Sequence, residues 1–386
     1  MQAFTFHNPT RIHFGEGQIA RISGEIPAGS RVLLTFGGGS IHANGVYQQI
    51  RDALADCTVI EFGGIESNPE FETLLRAVEL GRAEQVDWVL AAGGGSVIDG
   101  SKFIAAGIAL DPAIDPWLIV GNRTPLQRAL PLGVVLTLPA TGSESNNAAV
   151  VTRRATQDKL SFKNALVFPC FAVLDPAVTR SLPKRQVANG IVDAFVHTTE
   201  QYLTVPNAAA IQDRLAEGIL ATLIENGPKT LNDPANPDAR ANLVWSANQA
   251  LFGLVGAGQV TDWATHAIGH ELTALYGIDH ARTLALVLPS LLRHRLDDKT
   301  AKLAQYGRRV WSLTGSDRAV AMSAINATAA FFEHLEVPTR LSAYKLDADE
   351  VASAVREQLI RHQRLQLGEG GTLTPDDCAR ILTAAA

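Results

Sequence analysis

Five side chains in the second half of the sequence have the types and spacing to hold a divalent metal. Asp193 and His197 stand four apart in VDAFVHTTEQY (192–202), so a helix there presents a carboxylate and an imidazole on one face. Taken alone, such a pair is also an ordinary helix-face contact. The segment WATHAIGHELTALYGIDHARTLALVLP (263–289) adds His266 and His270, again one turn apart, and His280 a short loop further on. Neutral imidazoles with one carboxylate suit Zn²⁺ or Fe²⁺. A tetrahedral shell takes four ligands, which leaves one of His266, His270 and His280 outside it as a supporting or catalytic group. No H-E-x-x-H is present, because Glu271 follows His270 and position 274 is alanine, so a zinc-protease reading fails.

A second set of residues suits phosphate chemistry. GGGSVID (93–99) follows a buried run and opens a helical stretch, where Gly94, Gly95, Ser96 and Asp99 could hold a pyrophosphate against backbone N–H groups and a helix dipole. Ser96 and Asp99 also have the spacing of a capping box, and the pattern is not the G-x-G-x-x-G fingerprint. GGGS (Gly37, Gly38, Gly39, Ser40) ends the first long strand, where nucleotide folds read the adenosine ribose. With no acid there to bond a 2′-hydroxyl, a 2′-phosphate has room, which favours NADP(H) over NAD(H); a turn chosen only for backbone geometry is the alternative. TLPATGSESNN (137–147) brings Thr137, Thr141 and Ser143 to a strand end, as a nicotinamide-pocket lining or as an ordinary polar loop.

The elements that must position these groups fall into two halves. Apolar runs at 31–36, 57–62 and 86–92 read as strands, with helices at 44–56 and 70–85 between them, and further strands follow at 132–138, 148–153 and 171–174. That alternation predicts a Rossmann-like parallel sheet with crossover helices over residues 1–180 and an all-helical part over 181–386. Pro228 and Pro289 are expected at helix ends, and the stretch 227–238 at the surface as a loop. The 386 residues suffice for two or three domains, and 46% hydrophobic against 19% charged residues excludes a disordered chain. A net charge of −6 without a basic run argues against nucleic acid as a partner. Cys57, Cys170 and Cys378 lie far apart with no CxxC, so no disulfide framework is implied and a cytoplasmic setting fits. Neither a leader nor a membrane span is expected from the apolar runs.

In this order the motifs NPTRIHFGEG, FGGIESNP, GGGSVIDGSKFIA, TLPATGSESN, AVLDPAVTRSLPKRQVANGIVDAFVHTTEQY and THAIGHELTALYGIDHARTLALVLP become recognisable. The chain resembles the iron-containing (group III) alcohol dehydrogenases, most closely their NADPH-dependent butanol dehydrogenase and broad-specificity aldehyde reductase branch. The resemblance implies the dehydroquinate synthase-like architecture: an α/β dinucleotide-binding domain, an all-α domain and one divalent metal, Zn²⁺ or Fe²⁺, in the cleft between them. It assigns Asp193, His197, His266 and His280 as ligands and puts His270 near nicotinamide and substrate. It matches Gly94, Gly95, Ser96 and Asp99 to the pyrophosphate turn, Thr137, Thr141 and Ser143 to the pocket loop, and Lys159 to a lysine near the cofactor. Glu271 and Ala281 depart from the proline and glycine of many members, and the pocket loop is shorter than the common form, which bears on substrate preference. The implied reaction is reversible hydride transfer between NADP(H) and an aldehyde or primary alcohol, in a homodimer, with the metal as Lewis acid. The alternatives are a glycerol dehydrogenase-like polyol oxidoreductase and, from a different class, a metal-dependent hydrolase.

Overall fold

The computed structural model describes residues 1–206 and 208–386, which form two compact units. One unit comprises residues 7–183 and 233–248. Along the chain it contains β1 (Arg11–Phe14), β2 (Arg31–Phe36), the short α1 (Ser40–Ala43), α2 (Val46–Ala53), β3 (Thr58–Phe62), α3 (Phe71–Ala83), β4 (Trp88–Gly94), α4 (Gly95–Ala109), β5 (Leu132–Leu138), β6 (Ala148–Arg153), β7 (Asp158–Lys163) and β8 (Phe171–Leu174). Six strands make one parallel sheet in the order β1-β8-β5-β4-β2-β3. Successive side chains of a strand point to opposite faces, and here both faces are apolar. Leu33, Val89 and Ala91 enter the core with Leu74, Ile98 and Phe103 of α3 and α4; Val32, Leu34, Leu90 and Ala92 enter the other, with Ile19, Ile22, Val46 and Ile50.

The expected sheet is present, with differences at its margins. The stretch 148–153 is a strand, but it pairs antiparallel with β7 in a separate hairpin. The expected helix over 44–56 is broken at Gly45, which has φ +78°, so α2 starts only at Val46.

The other unit comprises residues 1–6, 184–232 and 249–386. Its helices are α5 (Lys184–Tyr202), α6 (Ala210–Asn232), the C-terminal end of α7 (Pro237–Ala250), α8 (Ala264–Tyr276), α9 (His280–His294), α10 (Leu296–Val310), α11 (Asp317–His334), α12 (Ala348–Arg361) and α13 (Pro375–Thr383). Every residue of α5 from Val187 to Tyr202 is buried, which makes it the central helix of the unit. Pro228 and Pro289 lie inside α6 and α9 rather than at their ends. Each removes one helical N–H donor, and packing of the surrounding buried residues outweighs that loss.

The compact units follow the expected halves 1–180 and 181–386 except in two segments that cross over. Residues 233–248 return to the sheet unit, where Arg240 donates to the Thr179 carbonyl (2.6 Å) and Trp245 packs edge-on against Phe14. Residues 1–6 join the helical unit, with Gln2 N–H on the Gly258 carbonyl (2.9 Å) and Phe6 against Phe252. These are long-range contacts, invisible to hydrophobic periodicity.

Candidate functional site

In the helical unit, α5 presents Asp193, His197 and Glu200 along one stripe, α8 presents His266 and His270, and α9 begins with His280. Arg185 and Asn189, one helical turn apart on α5, both donate to Asp279 Oδ2 (2.9 and 3.0 Å), which ties down the residue preceding His280. The start of α9 is thereby fixed against α5.

The five side chains expected to gather do so. Among the described residues, Asp193, His266 and His280 each offer one ligand atom, and these atoms lie within 4.8 Å of one another. His280 Nε2 is 3.8 Å from Asp193 Oδ1, and His197 Nδ1 is 3.7 Å from the same oxygen. The His197 ring stacks on His266 at 4.5 Å, yet it stands outside the group of three. His270 lies beside them, its ring 5.1 Å from that of His280. Burial pushes the His197 imidazole down to about 4, against the pull of Asp193, so the ring is neutral at pH 7. Its Nδ1 is buried and has no hydrogen-bond partner in the protein. Imidazole nitrogens and a carboxylate oxygen converging in a largely buried space are a donor set that fits Zn²⁺ or Fe²⁺.

Glu200 is a member of this site that histidine and aspartate spacing alone does not reveal. It bonds His266 Nδ1 and accepts the Thr265 N–H (2.6 Å). Burial and the nearby Asp262 carboxylate push its carboxyl well above the usual range, opposed by the amides of Thr265 and His266. A cation beside the imidazole favours the ionised form. Its position, three residues after His197, was the available signal.

In the sheet unit, residues 37–40 close β2, residues 93–96 close β4, and residues 139–145 follow β5. Phe36 is beside Ala92 and Gly94 beside Leu138, so the three segments share one carboxyl edge of the sheet. The chain also reverses its direction of travel across the sheet between β2 and β4, the place where open α/β sheets take nucleotides. Gly95 must be glycine: a Cβ there would come within 2.5 Å of the Thr141 side chain. Gly39 has φ +89°, whereas a Cβ on Gly38 would meet nothing within 4 Å.

Asp99 and Ser96 form no capping box, since Gly94 holds the cap position without a side chain to bond. Instead Asp99 accepts from Ser143 Oγ (2.5 Å) and from the Val150 N–H (2.9 Å). Ser96 Oγ accepts the Asn68 N–H (3.2 Å), and Asn68 Oδ1 accepts from Lys159 Nζ (2.7 Å). Lys159 is 4% exposed, so it is not a solvated surface lysine. Thr137 is buried near the end of β5. Lys102 and Asn68 were not singled out from sequence. Lys102 donates to Ser143 Oγ (2.8 Å), Asn146 Oδ1 (3.0 Å) and the Ala148 carbonyl (2.7 Å), and burial lowers its ammonium to about 8 despite Asp99 and Glu144 nearby. Its position one turn after Asp99 on α4 was the clue.

A model of the iron-containing alcohol dehydrogenase family matches residues 9–176, and one of the C-terminal part of that family matches residues 187–386. The chain belongs to the iron-containing alcohol dehydrogenase family, a class of oxidoreductases. Among its relatives, the NADPH-dependent aldehyde reductase YqhD of Escherichia coli is 56% identical, with 100% of both chains covered. The probable NADH-dependent butanol dehydrogenase 1 of Bacillus subtilis is 38% identical, again over 100% of both. The crystal structure of E. coli YqhD superposes with a TM-score of 0.98 at 55% identity, covering 100% of this chain and 99% of the other. That of an NADH-dependent butanol dehydrogenase A from Thermotoga maritima gives 0.95 at 33%, with the same coverage. No helix among the described residues is long and apolar enough to cross a membrane.

Proposed function

We propose that the chain catalyses reversible reduction of aldehydes to primary alcohols by NADPH. In that reaction a bound NADPH would supply hydride to the carbonyl carbon, and the oxygen would take up a proton. The observation that carries the reading is the convergence of Asp193, His266 and His280, with His197 beside them, in a chain alike over its full length to an NADPH-dependent aldehyde reductase. Asp193, His197, His266 and His280 hold one divalent ion, Zn²⁺ or Fe²⁺. When bound, the ion supplies Lewis acidity to the substrate oxygen and the dinucleotide supplies the hydride.

The protein's own part is positioning and proton supply. Residues 37–40 receive the adenosine end of the cofactor, and the absence of an acid there leaves a 2′-phosphate unopposed. Residues 94–96 and Asp99 take the pyrophosphate and its ribose side, while Thr137, Thr141, Ser143 and Lys159 line the nicotinamide side. His270 holds the proton that the product oxygen takes up. The reading includes a cytoplasmic homodimer, carried by the family resemblance, and light scattering tests the dimer.

Oxidation of NADPH and NADH with butanal, on metal-stripped protein and after return of Zn²⁺ or Fe²⁺, tests the whole. Metal-restored turnover that favours NADPH is the expected result. A preference for NADH would overturn only the reading of residues 37–40. Turnover of glycerol-type polyols to the exclusion of aldehydes would favour the polyol oxidoreductase instead.

A further inference from the structure

Helix α8 has a first turn that its own sequence caps only in part. The residue before it, Trp263, has φ +66° and no side-chain oxygen to accept the N–H groups that follow. Helix starts leave such donors unsatisfied, and buried ones must find partners. One partner is local and the other distant: Asp262 Oδ1, just before the cap, accepts the Ala264 N–H (2.9 Å), and Glu200 Oε1 of α5 accepts those of Thr265 (2.6 Å) and His266 (3.4 Å). Glu200 is thus the cap of a helix to which it does not belong. Its carboxylate sits at the positive end of the α8 dipole.

The other oxygen of the same carboxylate, Oε2, bonds the Nδ1 of His266. We propose that Glu200 is a positioning residue which fixes His266 as the Nδ1–H tautomer and so turns its Nε2 lone pair toward Asp193 and His280. With a cation beside the imidazole the Glu200 carboxyl is ionised and only accepts, so the proton of this bond stays on Nδ1. The remaining nitrogen is then the one free of hydrogen and able to bind a metal, and an imidazole hydrogen-bonded to a carboxylate is a stronger donor. Geometry supports the coupling: α5 carries Asp193, His197 and Glu200 on one stripe, so the helix that supplies ligands also orients one arriving from α8. Asp262, whose backbone N–H donates to the Glu200 carbonyl (2.9 Å), is itself paired with Lys299 (2.7 Å), which limits the negative charge facing Glu200.

The inference rests on the metal-site reading above, and Glu200→Gln separates its two roles. The amide oxygen of glutamine still accepts from Thr265 and His266, so α8 stays capped. The amide nitrogen donates to Nδ1, which moves the imidazole proton to Nε2 and blocks it. Expected is a fall of about 10–100-fold in Zn²⁺ affinity, measured by chelator competition, with the melting temperature of metal-free protein within a few degrees of wild type. Glu200→Ala should lose affinity and lower that melting temperature as well. Should the variants fail to fold, ¹⁵N imidazole shifts of Zn²⁺-loaded wild type provide the test, and His266 should report a protonated Nδ1. Zn²⁺ affinity of Glu200→Gln within threefold of wild type, or an unprotonated Nδ1, would overturn the proposal. A wild-type chain that takes up no Zn²⁺ would overturn the metal-site reading itself.

Discussion

His270 and His280 stand a few ångströms apart, and the two roles given to them predict different losses. His280→Ala should strip the metal and abolish turnover, because it removes one of the three atoms that already converge. His270→Ala should keep its metal content, read by atomic emission, and lose about 10²–10⁴-fold in kcat if it supplies the proton. An unchanged rate and pH profile would remove His270 from the chemistry. At the cofactor turn, Gly38 offers open space for a side chain where Gly37 has the Ile65 carbonyl 3.3 Å from a built Cβ. Gly38→Asp should therefore fold normally and raise KM for NADPH at least about tenfold while sparing NADH, by charge repulsion and a new 2′-hydroxyl partner. Equal effects on both cofactors would mean that residues 37–40 do not face the 2′-position. The five candidates Asp193, His197, His266, His270 and His280 were legible because metal chemistry restricts ligands to few residue types, whereas the choice of His270 as the one outside the shell came only from the family resemblance. Glu200 and Lys102 were not legible, since a buried glutamate or lysine gets its meaning from partners far along the chain.

Among the elements, strands β2, β5, β6 and β8 lie where hydrophobic runs indicate them, because an apolar run bounded by turn residues is a local signal. Strands β1 and β7 carry alternating polar residues, RIHF and DKLSFK, and only their pairing partners define them as strands. Helix α13 shows how much one local motif settles. Thr374 and Asp377 form a reciprocal capping box at its start, and Asp377 also accepts from Arg380 (2.5 Å). Thr374→Ala should cost about 1 kcal/mol in urea unfolding. Burial would raise the Asp377 carboxyl, but the bonds from Thr374 and the Arg380 charge outweigh it and bring the group down to about 2. A folded value below the unfolded one of ~3.9 stabilises the folded state above that pH. The contribution fades as pH falls from about 4 to 2. Asp377→Asn should flatten that part of the stability profile; an unaltered acid limb would show that the box is not formed in solution.

At the scale of the whole molecule, residues 233–248 lie beyond α5 and α6 yet belong to the sheet unit, and Arg240 is the side chain that anchors them. It is 2% exposed, donates through Nε to the Pro234 carbonyl (2.9 Å) and through one terminal nitrogen to the Thr179 carbonyl and hydroxyl (2.6 and 3.1 Å). Burial lowers its guanidinium below the usual value, but not into a range where it loses its charge at neutral pH. The stretch 227–238 just before it reads as a polar, proline-rich connection, which is why the sheet unit is expected to end at residue 180, although its last strand, β8, ends at Leu174. Nothing local marks an arginine as interior. Arg240→Ala would leave two carbonyls without their donor and a void where the side chain lay, a loss of roughly 2–4 kcal/mol. For a unit of this size that lowers the melting temperature by roughly 5–15 °C. Arg240→Lys should recover little, because an ammonium cannot reach both carbonyls with the planar fork of a guanidinium. Calorimetry on the full chain tests this. An unchanged transition for Arg240→Ala would mean that the returning segment is held by its apolar contacts, Trp245 on Phe14 among them, and the next variant to measure would be Trp245→Ala.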